Sequence, residues 1–418
     1  MLLFLLALGS FGLLTSSVFA GLVLAGTRHH LRNQPSPGKP SFTPPLSLLK
    51  PLHGIEPDLE DNLATFFEQD YPSSNFEILF CAADQRDPGL EIARHVAARY
   101  PQVSTRFYST GEPKYINAKV HSLEVMTAAA ANSILVISDS DVRVTPDYLR
   151  AVAAPFTDPQ VGAMTCLYRG VATQGGIWAR LEATGMSVEM TAGVLVANLL
   201  EGMKFVLGPT MAVRRECVEQ MGPINEMGQI NEIGQIDQAA PAGGIALASS
   251  IKGIGVLGDY CSDDYLLGNS VFQQGHTVVL SHHAIDHIIL NESFTDSLQH
   301  QVRWMKSTRF SRPKGHFGTA LTFSMPFALL ALFSALALGH PILAASLFTW
   351  GILTRLAIAW AAGRLVVHDE SSFGLFMLYP IRDLMGFGFW AASYVSSRIL
   401  WRGRVYQLLS GGRMKAAD

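Results

Sequence analysis

The sequence predicts an α/β domain held between membrane-crossing helices, and three observations predict it. Short β-type runs alternate with helical stretches from residue 46 to about 294, as an α/β sheet requires. Residues 2–26 contain no charged side chain. Three further apolar stretches, 319–338, 341–362 and 373–395, follow the α/β span and supply a second membrane region.

The first apolar run is long enough to cross a bilayer core with some tilt, at about 1.5 Å of rise per residue. No Lys or Arg precedes it, which favours a transmembrane anchor over residues 1–26 rather than a cleaved leader. Arg28, Arg32 and Lys39 come next, and basic residues are retained on the cytosolic side, so the chain after the run is expected to face the cytosol. Residues 27–45, rich in Pro and Ser from position 33, are expected to be a linker.

Strands are expected at 46–49, 76–82, 103–108 and 133–137. Helices are expected between them at 58–68, 89–98 and 119–130. The second of these follows Asp87 and Pro88, an N-cap and a first-turn proline. Residues 224–229 read INEMGQ and 230–235 read INEIGQ, two copies of a hexapeptide, too few for a solenoid. They are read as a surface insertion at about 223–246, with a substrate lid as the sharper alternative.

Residues 295–315 place Leu298, Val302, Met305 and Phe310 on one helical face and Arg303, Lys306 and Arg309 elsewhere, the pattern of an amphipathic interfacial helix. Within the C-terminal membrane region, 316–395, Arg355 and the pair Arg382-Asp383 are expensive in lipid unless they face the bundle interior or one another. The tail, 396–418, is basic through Arg398, Arg402, Arg404, Arg413 and Lys415. Four full spans would place this tail outside, whereas its charge favours the cytosol. The expectation is that one apolar stretch does not cross, with topology beyond 338 left open.

Lys and Arg number 31 against 34 Asp and Glu, a net charge of -3, which argues against a nucleic-acid partner. The expected partners are small molecules and lipid. Cys81, Cys166, Cys217 and Cys261 show neither a CxxC pair nor zinc-finger spacing and are read as reduced structural thiols, in keeping with a cytosolic domain.

Asp139 and Asp141 flank Ser140 directly after the strand at 133–137. Two carboxylates so placed can share a hard divalent cation, Mg2+ or Mn2+, whose remaining ligands come from a diphosphate; Asp and Ser are also common turn formers. Asp84 ends the strand at 76–82, where a carboxylate can accept from a base or ribose or merely cap a helix. Lys119 can reach a diphosphate or lie solvated on its helix. Asp264, in Asp263-Asp264-Tyr265, is a candidate general base, with an N-cap as the plain alternative. Arg303-Trp304 offers a planar cation and an aromatic plate, fit for a diphosphate and an acceptor or for an interfacial belt.

In this order the elements resemble the ceramide glucosyltransferase family, glycosyltransferase family 21, whose fold is the GT-A type. The resemblance runs through Ser47-Leu48-Leu49-Lys50-Pro51-Leu52-His53-Gly54, Asn62-Leu63-Ala64-Thr65-Phe66-Phe67 and Asp70-Tyr71-Pro72. It continues through Asp84, Asp139, Arg143-Val144, Asp264 and Arg303-Trp304, and more weakly into Pro380-Ile381-Arg382-Asp383, which recurs in bacterial relatives. It implies an inverting hexosyltransferase with a UDP-sugar donor and a membrane-lipid acceptor. Asp84 would help hold the uridine, Asp139 would belong to the metal-diphosphate site, Asp264 would be the base, and Arg303 with Trp304 would lie near the diphosphate and acceptor. The family signature usually opens with Gln or Arg three residues before that arginine. Here the place is taken by His300, which can still donate to phosphate. Ceramide is the acceptor best known for the family, and hopanoid lipids glycosylated with glucose or N-acetylglucosamine are the alternative from bacterial relatives. A processive polysaccharide synthase shares the carboxylate series but needs more membrane helices, and a silent scaffold would not need Asp84, Asp139 and Asp264 together.

Overall fold

The computed structural model describes residues 1–33, 42–224, 230–232, 252–289, 293–370, 376–401 and 403–417. Most of the hexapeptide repeat and part of the linker therefore lie outside the described residues. The chain divides into two compact units. One comprises Pro35–Leu167, Met203–Ile288 and Val405–Asp418, the other Met1–Gln34, Tyr168–Gly202 and Ile289–Arg404.

The first unit is built on a mixed sheet. Its strands are β1 (Leu46–Pro51), β2 (Phe76–Ala82), β3 (Ser104–Ser109), β4 (Ile134–Ser138), β5 (Val142–Arg143), β6 (Val161–Val171) and β7 (Thr210–Arg214). A short hairpin of β8 (Met221–Ile224) and β9 (Ile230–Glu232) stands apart, and β10 (Thr277–Ile288) returns to the main sheet. The eight-stranded order is β3-β2-β1-β4-β7-β6-β10-β5. β1 runs parallel to β2 and to β4, with Leu46 opposite Phe76 and Ile134. β7 is antiparallel to β4, with Met211 opposite Ile137.

The four strands expected from the apolar runs form within a residue or two of their expected bounds. Every residue of β2 and β4 is buried, as befits strands covered on both faces. The helix Pro88–Arg99 starts as expected, with Asp87 Oδ1 accepting the Gly89 N–H at 2.8 Å and Pro88 in the first turn. After β1 the chain builds outward through β2 and β3, then jumps back to lay β4 on the other side of β1. The carboxyl ends of β1 and β4 thus flank a topological switch point, the place where α/β sheets bind their ligands.

The second unit is helical. Its N-terminal helix, Leu2–Arg32, is 31 residues long and runs past the expected anchor boundary at 26. Small residues seat it closely: a Cβ on Gly9 would stand 2.8 Å from Ala331 N, and one on Gly12 would overlap the Phe327 ring at 2.0 Å. Ile177–Glu201, within the 46–294 stretch, is 25 residues long and apolar enough to span a membrane. It contains a π-helical turn at Gly185–Met190 and approaches the N-terminal helix so closely that a Cβ on Gly26 would lie 2.9 Å from Leu195 O. Pro341–Val366 is a third such helix, and Pro313–Thr322 with Met325–Ala337 forms a pair bent by 45°.

Tyr379–Ala392, within the third expected apolar stretch, has 14 residues. At about 1.5 Å per residue it is shorter than a bilayer core of about 30 Å. Arg355 and Asp383 face one another at 2.9 Å, both buried. Asp383 Oδ2 also accepts the Ser324 and Met325 N–H groups at 2.9 and 2.8 Å, capping the helix that begins there. All four cysteines are free thiols.

Candidate active site

β1 and β4 end in charged residues at the switch point. Lys50, on β1, is wholly buried. Its Nζ donates to Asp139 O at 2.6 Å and to Ser138 Oγ at 3.5 Å and lies 3.7 Å above the Phe66 ring. Burial pulls the Lys50 amine down to about 7, against the neighbouring carboxylates Asp139, Asp141 and Glu56 that hold its proton on.

Asp139 follows β4 directly. Its N–H donates to Pro209 O at 3.1 Å, and its Oδ1 meets Lys119 Nζ at 2.5 Å, so Lys119 is neither solvated nor idle. Burial, and then Asp141, raises the Asp139 carboxyl, while Lys119 restrains the shift. Asp141 is held from the far side of the sheet. Its backbone oxygen accepts the Ile288 N–H at 2.8 Å, and His287 Nε2 lies 3.1 Å from its Oδ2. Burial would raise the Asp141 carboxyl, but His287, Lys50 and Lys119 together take it below its ordinary value.

Asp264 stands in the first turn of the helix Asp263–Gln273, whose N-cap is Ser262, so it is a first-turn residue rather than the cap itself. Its Oδ1 accepts the Tyr265 N–H at 2.7 Å, and its Oδ2 lies 3.1 Å from where a Cβ on Gly208 would be. Gly208 and Pro209 therefore form a shared wall: one side faces Asp264, and the other fixes the Asp139 backbone. Burial, and then neighbouring Asp263, pushes the Asp264 carboxyl up to about 6, while Lys119 and the Tyr265 and Gly208 N–H groups pull the other way. Asn117 braces the same corner. It donates to Tyr260 O at 3.2 Å and to Asp263 Oδ1 at 3.3 Å, and its own N–H reaches Gly258 O at 2.8 Å.

The structure thus brings Lys119, Asp139, Asp141 and Asp264 into one charged corner. Asp84 is exposed at the end of β2, with Oδ1 accepting the Arg86 N–H at 2.9 Å in a local turn. His300, Arg303 and Trp304 belong to the helical unit, on the helix Phe294–Ser311. There His300 Nδ1 lies 2.8 Å from Glu182 Oε1, its ring packs 4.4 Å from that of Trp304, and the Arg303 guanidinium sits 5.9 Å over Trp401.

Three members of the corner escaped sequence reading as functional residues. Lys50 was noticed only as part of a family match, although a lysine inside an otherwise apolar strand is itself a signal. His287 and Glu56 carried none, because they approach Asp141 from a distant strand and from the loop after β1. Burial, and then Asp141, raises the Glu56 carboxyl to about 7, while a hydrogen bond with Ser140 opposes the shift.

The corner suits a hard cation. Asp141 Oδ1 and Glu56 Oε2 are both buried and make no hydrogen bond, leaving two acceptor oxygens beside one another's charge. Among the described residues no group of three or more His, Cys, Asp or Glu side chains is gathered as a ready metal cage.

Comparison with known proteins gives a consistent picture. Ceramide glucosyltransferase 1 of Caenorhabditis elegans is 21% identical over 395 residues, spanning 93% of this chain and 76% of that protein. The ceramide glucosyltransferase of Komagataella phaffii is 35% identical over 103 residues, 24% of this chain and 20% of that one. Among solved structures, the mannosyltransferase PcManGT from Pyrobaculum calidifontis, in complex with GDP-Man and Mn2+, aligns with a TM-score of 0.52 at 17% identity. That alignment covers 90% of this chain and 98% of the other, so the two share the GT-A type of fold. The family model for glycosyl transferase family 21 matches residues 13–230 and 246–414, leaving out only an interval within the expected insertion between its two segments. With its model matched from inside the first apolar helix to the C-terminal segment, this chain belongs to glycosyl transferase family 21.

Proposed function

We propose that this protein is an inverting transferase that moves glucose, or a related hexose, from a UDP-sugar to the primary hydroxyl of a ceramide-like membrane lipid. The observation that carries the reading is Asp264, a carboxylate fixed beside Gly208, raised to about 6 by burial and by Asp263, and sharing the field of Lys119 with Asp139. The names of the relatives support glucose and ceramide, and the nucleotide-sugar and cation of the solved mannosyltransferase support the donor class.

In this mechanism Asp264 takes the proton of the acceptor hydroxyl as its oxygen bonds to the anomeric carbon. The bond from that carbon to the diphosphate breaks on the opposite face, and its electron pair leaves with UDP. Lys119 and Lys50 hold the acidic corner in register, fixing Asp139 by its carboxylate and by its backbone oxygen. Asp139 and Asp141 would hold a divalent cation, which when bound would neutralise the charge that grows on the diphosphate. Asp84 receives the uridine at the end of β2; the roles of His300, Arg303 and Trp304 toward diphosphate and acceptor rest on the family resemblance alone. The apolar helices deliver the lipid laterally, since a two-chain lipid scarcely leaves the bilayer. Arg28 and Arg32, at the end of the first helix, support a cytosolic catalytic unit.

Asp264→Asn tests the assignment. Binding of UDP by the purified variant is expected to persist while transfer of labelled glucose to short-chain ceramide collapses by about a thousandfold, the order of a general-base loss. Near wild-type turnover would remove Asp264 from the role of base.

A further inference from the structure

The helical unit buries two arginines on neighbouring helices, and their surroundings differ. Arg355 is engaged on several sides: Nη1 donates to Asp383 Oδ1 at 2.9 Å and Thr322 O at 3.0 Å, and Nη2 to Ser16 O at 3.5 Å. Its partner Asp383 caps the helix at Met325. That cluster ties helices together and leaves only the Arg355 Nε without a hydrogen bond.

Arg382 is 3% exposed, yet only its Nη2 is engaged, donating to Gln301 Oε1 at 2.9 Å and lying 3.0 Å from Glu189 Oε2. Its Nε and Nη1 make no hydrogen bond, nor does Nε2 of Gln301, itself 5% exposed. Glu189 Oε2 likewise completes no aligned hydrogen bond. Three buried donors are therefore unsatisfied within a few ångströms, beside a carboxylate held only by its ion pair, in a setting where each such group is costly.

The backbone is shaped around this arginine. Gly185 opens the π-helical turn Gly185–Met190, and a Cβ there would stand 2.3 Å from Arg382 Nε. Gly386, one turn beyond Arg382, would place a Cβ 3.1 Å from Glu189 Oε1. The Arg382 guanidinium also packs over the Phe389 ring at 5.2 Å. Only the Glu189 side chain reaches the surface, at 23% exposure, and so marks the way in. π-turns of this kind recur at functional sites because they free backbone and side-chain groups from the helical ladder.

We infer that Arg382, Gln301 and Glu189 form a recognition site for the uncharged polar headgroup of a lipid that carries both a carbonyl oxygen and a hydroxyl or amide N–H. The carbonyl oxygen accepts from Arg382 and Gln301, and the headgroup's own donor goes to Glu189. A phosphate is disfavoured, because Glu189 already neutralises Arg382 and Glu182 lies buried on the same helical stretch. An amide-and-hydroxyl headgroup offers its carbonyl and hydroxyl oxygens to the three open donors. The inference rests on the proposed lipid-acceptor reaction for its biological sense, but binding can be measured without it.

The test is photolabelling of the full-length protein in detergent micelles with a short-chain ceramide bearing a photoreactive acyl chain. Saturable labelling of the wild type is expected, with a loss of tenfold or more in Arg382→Gln and in the milder Gln301→Leu at unchanged melting temperature. Excess phosphatidylcholine is expected not to compete, whereas excess unlabelled ceramide is. Undiminished labelling of a folded Gln301→Leu protein, or equal competition by phosphatidylcholine, overturns the inference. If Arg382→Gln fails to fold, Gln301→Leu carries the decision alone. A wild type that is labelled in this pattern but transfers no glucose upholds the headgroup site and removes the proposed reaction instead. In an active preparation the same variants are expected to raise the KM for ceramide tenfold or more while leaving that for the UDP-sugar within twofold.

Discussion

Gly208→Ala is a clean probe of how closely Asp264 is placed. Gly208 does not occupy the left-handed region that only glycine enters cheaply, so alanine brings no backbone strain, and its N–H still points at Asp264. What changes is one methyl group. It would stand 3.1 Å from Asp264 Oδ2 and 3.6 Å from Cγ, against an ordinary contact of about 3.5 Å or more between carbon and its neighbours. Relief requires the carboxylate to retreat by roughly 0.4 Å, at the expense of its alignment with the Tyr265 and Gly208 N–H groups. A full ångström of misplacement costs about a hundredfold in rate, so roughly 0.4 Å corresponds to about sixfold, or about 1.1 kcal/mol of transition-state stabilisation. The assay is steady-state transfer to short-chain ceramide with UDP-sugar varied, alongside a thermal melt. The expected result is kcat down about sixfold, KM for the UDP-sugar within twofold, and little change in melting temperature. A kcat within twofold of wild type refutes the close placement of Asp264; a melting point lower by several degrees would mean the fold, not the base, absorbed the methyl.

Other consequences follow from the same geometry. Because the folded protein raises the Asp264 carboxyl from an ordinary aspartate to about 6, its charge opposes folding above pH 6 and is neutral in both states well below pH 4. Asp264→Asn is therefore expected to melt higher than wild type at pH 8, with the gap closing as pH falls from about 6 to 4, while the wild-type kcat declines below pH 6 as the base is protonated. For Asp139→Ala, UDP affinity measured by calorimetry is expected to lose its dependence on Mn2+; a chelator effect as large as in the wild type would sink the Asp139 cation role. Arg355→Met leaves Asp383 buried without its cation, at a cost of about 3–5 kcal/mol, which should appear as a lower melting temperature in detergent. Adding Asp383→Asn should recover part of that loss, and no recovery would argue against the pair.

The frame of the sheet unit was legible because it rests on local signals. Apolar runs bounded by turn residues marked β1 to β4, and Asp87-Pro88 marked a helix start, each within a few residues of the observed bounds. Among the later strands β5 has two residues, too short for any periodic pattern. Ile177–Glu201 shows a different limit. Its charged residues Arg180, Glu182, Glu189 and Glu201 dilute the apolar signal in sequence, yet Glu182 and Glu189 find partners inside the helical unit. Among site residues, spacing alone linked Asp139 to Asp141 and strand position raised Asp84. No local pattern could reveal that Lys50, Glu56 and His287 attend the same carboxylates, because those approaches are tertiary.

The placing of Asp264 draws on segments far apart in the chain. Asn117 grips Asp263 from the start of one helix, Gly208 walls the carboxylate before β7, and the C-terminal segment holds the approach: Met414 N–H donates to Asp259 O at 2.7 Å and Cys261 N–H to Gly412 O at 3.1 Å. Tyr260 forms an antiparallel bridge with Arg413 between those two bonds. A tail that in sequence reads only as a basic coda is thus a strand-like clamp on the loop that delivers the proposed base. The physical reason is the loop itself. Residues 258–262 leave a short 3-10 turn and enter the helix through a stretch that belongs to no regular strand or helix, so its path depends on bonds from neighbouring segments. Backbone bonds from the tail supply that restraint, and Asn117 carries it on to the acidic pair, so the position of one carboxylate is set by the closing of the whole sheet unit rather than by the motif that contains it.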